Sequence, residues 1–452
     1  MKKMLLAVLG LAVLACQEMK KEETTAVGLP EMSREIMAKS VIYEANIRQY
    51  SPEGSFNAFA QDLPELKKLG VDIIWLMPVY PISTTNSKGS LGSYYAVSDY
   101  TGVNPEFGTL ADLKALINQA HELGMYVILD WVPNHTGWDH HWLKSHPDWY
   151  TQNEQGQPTH PVGTDWTDTA DLNYDSAEMR AQMVRDMQYW ITEAHIDGFR
   201  CDMAGMVPVD FWATTIPTLR AMKPIMMLAE AWEPALIDAG FDMAYGWETH
   251  HISNRIARTE NDVNAWRHRM DEVSSMYPSG TILMNFTSNH DENSWNGSAP
   301  ERLGPALETA AALMYAAPGM PLIYSGQEYN LDKRLLFFEK DSIDRVKSTM
   351  FGVYERLGAL KKGTNALDAG HGGAAYKDLP NSAGDRVLSF ERAKGEDRLY
   401  YIANFSAEPK SFTVDIAGSL IDYMTGQPRE FAPGDTWSLA PYQYHILLHK
   451  TP

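Results

Sequence analysis

Ile196-Asp197-Gly198-Phe199-Arg200-Cys201-Asp202-Met203 is a short apolar run that carries a guanidinium and a carboxylate two residues apart. Successive side chains of a strand point to opposite faces, so Arg200 and Asp202 share one face and Phe199 and Cys201 the other. A strand with that division needs neighbours that also bury both faces. Seven further runs fit: Val41 to Ile47, Asp72 to Val79, Tyr126 to Val132, Ile225 to Glu230, Phe241 to Tyr245, Thr281 to Phe286 and Pro321 to Ser325. Helical stretches separate them. Leu110 to Leu123, for example, sets Leu110, Leu113, Leu116 and Ile117 on one face. Eight strand-then-helix units predict a (β/α)8 barrel of the TIM type rather than an open sheet.

The barrel is expected over residues 36–362, with one connection too long to be a plain loop. Residues 136–176, rich in Trp, His, Asp and Pro, read as a small inserted subdomain after the third strand. From 363 to 452 the pattern becomes alternating strands, among them Arg386 to Arg392, Arg398 to Asn404 and Ser411 to Ile416. This predicts a C-terminal antiparallel β-sandwich.

Residues 1–16 read as a signal peptide, with Lys2 and Lys3 before the apolar stretch Leu5 to Ala15. That stretch is too short for a permanent membrane helix. It ends Val13-Leu14-Ala15-Cys16, a bacterial lipobox pattern in which Cys16 receives lipid; an ordinary cleaved signal with an incidental cysteine is the alternative. The polar stretch 17–35 would then be a flexible tether. The expected location is an exported lipoprotein on the bacterial outer membrane, facing the periplasm or the cell surface, with membrane contact only through Cys16. Cys201 alone remains, so one mature chain has no disulfide framework, and Cys201 is expected in the core.

The formal net charge of -20 argues against nucleic acid and anionic membrane surfaces as partners. A neutral ligand suits it better. The 13 Trp and 22 Tyr offer flat apolar rings that match sugar faces, although each also serves to fill a core.

Active sites of TIM barrels lie at the C-terminal strand ends, so polar residues that close apolar runs are the ones to inspect. The third run ends Leu129-Asp130-Trp131-Val132-Pro133-Asn134-His135, the fourth contains Arg200 and Asp202, the fifth ends at Glu230, and the seventh leads to Asn289-His290-Asp291. Glycosidic cleavage needs a carboxylic acid to protonate the leaving oxygen and a carboxylate to receive the oxocarbenium carbon. Arg200 would keep Asp202 ionised, and burial among like charges would keep Glu230 protonated as the general acid. Singly, each residue also fits a structural ion pair or a strand-end cap; their order on the strands is what discriminates.

Taken together, these segments resemble the α-amylase family of retaining glycoside hydrolases and transferases. The resemblance rests on Asp130 to His135 (D-x-x-x-N-H), Gly198 to Asp202 (G-x-R-x-D), Glu230, and Asn289 to Asp291 (N-H-D). It implies that Asp202 is the nucleophile, Glu230 the acid/base and Asp291 the residue that grips sugar hydroxyls. It also implies that His135 and His290 bond the sugar, that Arg200 orients Asp202, and that Tyr95 rather than Tyr94 stacks beneath that sugar. Trp232 is placed to contact an acceptor sugar, with core or lid packing as its alternative, and Trp295 is weighed in the same way. The expected activity is endo-acting hydrolysis of α-1,4 bonds in starch, glycogen or maltooligosaccharides. An α-glucosidase, a cyclomaltodextrinase and a glucanotransferase share the trio, and a non-catalytic glucan-binding surface protein is the reading of another class.

No cofactor is required by this chemistry. Calcium is a candidate, with Asn134, Asp165, Asp168 and Asp171 as its oxygen ligands, although such residues also cap turns. Two departures bear on this. Gly205 and Met206 stand where many relatives carry Lys-His, and Pro81 to Ser93 holds no acidic residue. The segment Glu292 to Gly297 also lacks an arginine frequent in the family.

Overall fold

The computed structural model describes residues 29–449 apart from His371. The signal peptide, Cys16 and residues 17–28 of the expected tether lie outside the described residues.

Eight parallel strands close into a barrel in sequential order. They are β1 (Ile42–Ala45), β2 (Ile73–Leu76), β3 (Tyr126–Trp131), β4 (Gly198–Cys201), β5 (Met226–Ala229), β6 (Met243–Tyr245), β7 (Ile282–Asn285) and β8 (Met320–Tyr324). Strand alternation sorts their side chains. Ile42, Ile73, Ile128, Leu228, Met243 and Leu322 pack together inside the barrel, while Val127, Leu129, Phe199 and Cys201 join the layer between strands and helices. Gly198 at the start of β4 has φ +156, and a Cβ there would sit 2.1 Å from the Met226 carbonyl oxygen. Only glycine lets β4 approach β5 so closely, which gives the glycine of G-x-R-x-D a backbone reason.

Helix Leu110–Glu122 starts in a Thr109/Asp112 capping box and buries Leu113, Leu116, Ile117 and Ala120, the i, i+3, i+4, i+7 stripe of a helix laid on a sheet. Helix Ala177–Glu193, capped by Ser176, likewise buries Met179, Met183, Met187 and Trp190. Among the described residues no helix is long and apolar enough to cross a membrane.

Two expectations need correction at element ends. Ile47 belongs not to the first strand but to a short helix, Ile47–Tyr50, whose start Asn46 caps through its side chain. Residues 29–35, assigned to the tether, belong to the barrel floor: Met32 is buried, Tyr126 donates to the Pro30 carbonyl, and a helix begins at Arg34.

In the inserted segment after β3, His135–Gly137 pairs with Thr169–Asp171 as an antiparallel ribbon. The C-terminal part is a six-stranded antiparallel sheet with a two-stranded ribbon, Lys410–Thr413 with Thr436–Leu439, against it. Val387, Ile402, Phe412, Leu420, Trp437 and Leu447 fill the space between them, so the sandwich expected from sequence is present beside the barrel.

Candidate active site

One layer above the apolar barrel interior, the inward positions turn polar. Glu44 follows Ile42 on β1, Trp75 follows Ile73 on β2, Asp130 follows Ile128 on β3, and Arg200 follows Gly198 on β4. All four are fully or almost fully buried. Arg200 is the hub. Its Nη1 donates to Asp130 Oδ1 and to Asp202 Oδ1, each at 2.9 Å, and its Nε donates to the Tyr245 hydroxyl at 3.0 Å. Nη2 lies 2.9 Å from Glu230 Oε2 but off the N–H axis, so that contact is an ion pair and not a hydrogen bond. The guanidinium carbon sits 4.9 Å from the Trp75 ring centroid.

Glu230 also accepts from the Met203 amide at 2.8 Å. Met203 reaches this position in the left-handed region, at φ +45, an uncommon conformation for a side chain of its size. Burial dominates the acidities. It raises Asp202 to about 6 against the pull of Arg200, and raises Glu230 further, to about 8, with Asp202 and Asp291 adding to burial. Burial therefore outweighs Arg200 at Asp202, where the sequence suggested that the guanidinium would prevail. Between those values one carboxylate is ionised and its neighbour protonated, the pair that nucleophile and general acid require.

Asp202, Glu230, Asp291, Tyr95, His135 and His290 line one cavity of about 530 Å³. Tyr95 donates to Asp130 Oδ2 at 3.1 Å, and its ring stacks on His290 at 5.4 Å between centroids. Tyr94 turns away to receive Arg48 over its ring. Burial lowers His135 to about 4, so it enters the site neutral. His290 Nε2 lies 3.4 Å from Asp291 Oδ2.

Trp232 does not join them. It is 56% exposed and lines a neighbouring groove of about 510 Å³ with Trp247, His251 and Tyr277. Tyr277 donates to its carbonyl at 2.6 Å. Trp295, by contrast, lines the cavity shared by Asp202, Glu230 and Asp291 and packs on Phe337.

The calcium ligand set is also corrected. Among the described residues no three His, Cys, Asp or Glu side chains gather to hold a metal ion. Lys88 Nζ lies 3.3 Å from Asp168 Oδ1 and donates to the Asp165 carbonyl at 2.8 Å, so an ammonium already supplies positive charge there. Asn134 Nδ2 instead faces His135 Nδ1 at 3.2 Å, and Asp171 stands opposite His135 only in the backbone ladder of the ribbon. These residues do not fit calcium, and no step of the chemistry runs through one.

Sequence reasoning missed Glu44, Lys88, Trp166, Phe337 and Phe338. The last four line the cavity from loops distant in sequence. Glu44 left a signal, as a lone acid inside an apolar strand run.

Residues 31–353 match the α-amylase catalytic domain. The α-amylase MalA of Haloarcula japonica is 28% identical over 417 residues, covering 88% of this chain, which spans 59% of that relative's length. The intracellular maltogenic amylase of Bacillus subtilis is 27% identical over 438 residues, 88% of this chain and 70% of the relative. Among solved structures, the noncanonic maltogenic α-amylase AmyB from Thermotoga neapolitana superposes with a TM-score of 0.85 at 28% identity, covering 92% of this chain and 100% of its own. With its catalytic-domain match extending over most of the barrel and its acids gathered on one guanidinium, the chain belongs to the α-amylase family.

Proposed function

We propose that the protein hydrolyses α-1,4-glucosidic bonds in starch, glycogen or maltooligosaccharides with retention of configuration. Asp202 attacks the anomeric carbon while Glu230 passes its proton to the leaving oxygen. Water, activated by the now ionised Glu230, then breaks the Asp202 ester. Asp291, His135, His290 and Tyr95 hold the sugar being transferred. The observation that carries this reading is a single buried guanidinium in contact with three acids, two of which, Asp202 and Glu230, differ in proton affinity at the wall of a cavity that admits a sugar chain. Reducing-sugar release from soluble starch by the wild type and by Asp202→Asn tests it. Release by the wild type that the variant loses by at least about a hundredfold is expected. Equal and negligible release by both would leave only a glucan-binding protein.

Attack within chains is the main reading. A second reading, release of short products such as maltose, is favoured by the wall of Lys88, Phe337 and Phe338 around the cavity. Products from maltoheptaose, pullulan and cyclodextrins separate the two. Export and lipid attachment at Cys16 complete the proposal on sequence grounds, and loss of membrane association in Cys16→Ala checks them.

A further inference from the structure

Glu44 has no part in the two-step mechanism, yet it is fully buried on β1, inside the catalytic layer. Its Oε1 lies 2.5 Å from His290 Nδ1 and 3.4 Å from the His290 amide nitrogen. Its Oε2 is buried with no hydrogen-bond partner. A carboxyl group held on one oxygen only, with the other left unsatisfied, is costly unless the single contact matters.

The hydrogen-bond pattern says what that contact does. The Tyr95 hydroxyl gives its proton to Asp130 Oδ2 at 3.1 Å, so the lone pair is what it presents to His290 Nε2, 2.9 Å away. Asp291 Oδ2, 3.4 Å from the same nitrogen, is also an acceptor when ionised. Nε2 must therefore carry hydrogen. On the other side Nδ1 and Glu44 Oε1 share one proton, and whichever atom holds it, Nε2 keeps its own. Without the carboxyl, a neutral imidazole is free to adopt the Nδ1–H form and turn a bare Nε2 toward two oxygens.

We propose that Glu44 is a positioning residue that fixes the protonation of His290, so that Nε2–H always faces Asp291 and the sugar hydroxyl bound beside it. As a statement about sugar binding, this rests on the α-glucan reading above. The groups that face His290 are Glu44 from β1, Asp130 from β3, Arg200 from β4, Tyr95 from the segment after β2, and Asp291 next in the chain; the edge of Trp75 on β2 completes the enclosure. Burial opposes charge on His290, but Asp291 and Glu44 lift it to about 9. Burial likewise raises Glu44. Both shifts retain the shared proton through neutral pH.

The test uses Glu44→Gln and Glu44→Asp in the full chain, with kcat and KM on maltoheptaose from pH 5 to 9. Nitrogen NMR of the histidines accompanies it, with His290 assigned by difference from His290→Asn. Wild-type His290 is expected to hold hydrogen on Nε2 at pH 7.5. In Glu44→Gln its titration should fall toward the ordinary histidine value of about 6.5. kcat should drop by about tenfold or more at pH 7.5 with KM nearly unchanged, as for other groups that orient a working imidazole. The ratio to wild type should recover at pH 5.5, where the ring is protonated without help. Glu44→Asp, which keeps the carboxylate, should keep the shape of the wild-type profile.

A Glu44→Gln loss that is equal at every pH, or an unmoved His290 titration, would overturn the proposal. If Glu44→Gln does not fold, the wild-type spectrum still decides, because a bare Nε2 at pH 7.5 contradicts it. If the wild type cleaves no α-glucan, the substrate reading fails while the NMR arm continues to test Glu44 and His290.

Discussion

The lower and upper layers of the barrel interior are two residues apart on the same strands, and they behave as different materials. The lower layer, Ile42, Ile73, Ile128 and Gly198, is packed hydrocarbon and glycine; the upper, Glu44, Trp75, Asp130 and Arg200, is a buried lattice of charges with one indole hydrogen-bonded into it. The two-residue step is the period of a strand, so each of these four strands carries a lower-layer and an upper-layer residue on one face. The hydrocarbon layer stabilises by burial alone. The ionic layer must be complete to be tolerable, because each of its charges is desolvated and depends on the others. That contrast makes the two layers separable by mutation.

Arg200→Ala should give the largest effect. Removing the cation leaves Asp130, Asp202 and Glu230 buried without their partner, which should cost about 3–5 kcal/mol of stability and abolish turnover. Denaturant unfolding with a matched activity assay checks this; a stable, active variant would break the comparison. The pH profile of kcat/KM comes next. Asp202, at about 6, must be ionised, so activity falls as pH drops below it. Glu230, at about 8, must be protonated, so activity falls as pH rises above it. Outside that window the decline should be about tenfold per pH unit. A plateau that extends well past pH 9 would assign the acid elsewhere.

Smaller effects sharpen the contrast from the hydrocarbon side. Ile128→Val, one methylene removed two residues below Asp130, should lower stability by about 0.5–1.5 kcal/mol and leave kcat intact. A large kcat loss there would mean that the layers are not separable. Lys88→Ala, at the cavity rim, breaks a partly exposed pair with Asp168 and should cost no more than about 1 kcal/mol, seen as a small Tm shift.

Much of this was legible in the sequence, for a physical reason. Strand alternation is local, so Arg200 and Asp202 could be placed on one face and Glu230 at a strand end from spacing alone, whereas Asp291 stands well past the end of β7, at the start of the helical turn Glu292–Asn296. The barrel followed from the repeated strand-then-helix rhythm. What escaped depends on contacts between distant segments. Lys88 meets Asp165 and Asp168 only because the loop after β2 folds over the inserted ribbon, and that contact displaces the calcium expectation. Trp232 stands two residues from Glu230 but, beyond the end of β5, strand alternation no longer governs its direction, and it turns to the neighbouring groove. Glu44 was visible as an acid in an apolar run, yet its partner His290 lies on the far side of the chain.

The most direct measurement is to trap the intermediate. A fluorinated α-glucosyl fluoride that forms the glycosyl-enzyme faster than water releases it should leave one sugar on the chain, and peptide mapping by mass spectrometry should locate it on Asp202. An adduct on Asp130 or Asp291, or turnover of the reagent with no adduct on Glu230→Gln or wild type, would contradict the assignment of the nucleophile to Asp202, the residue just past the end of β4.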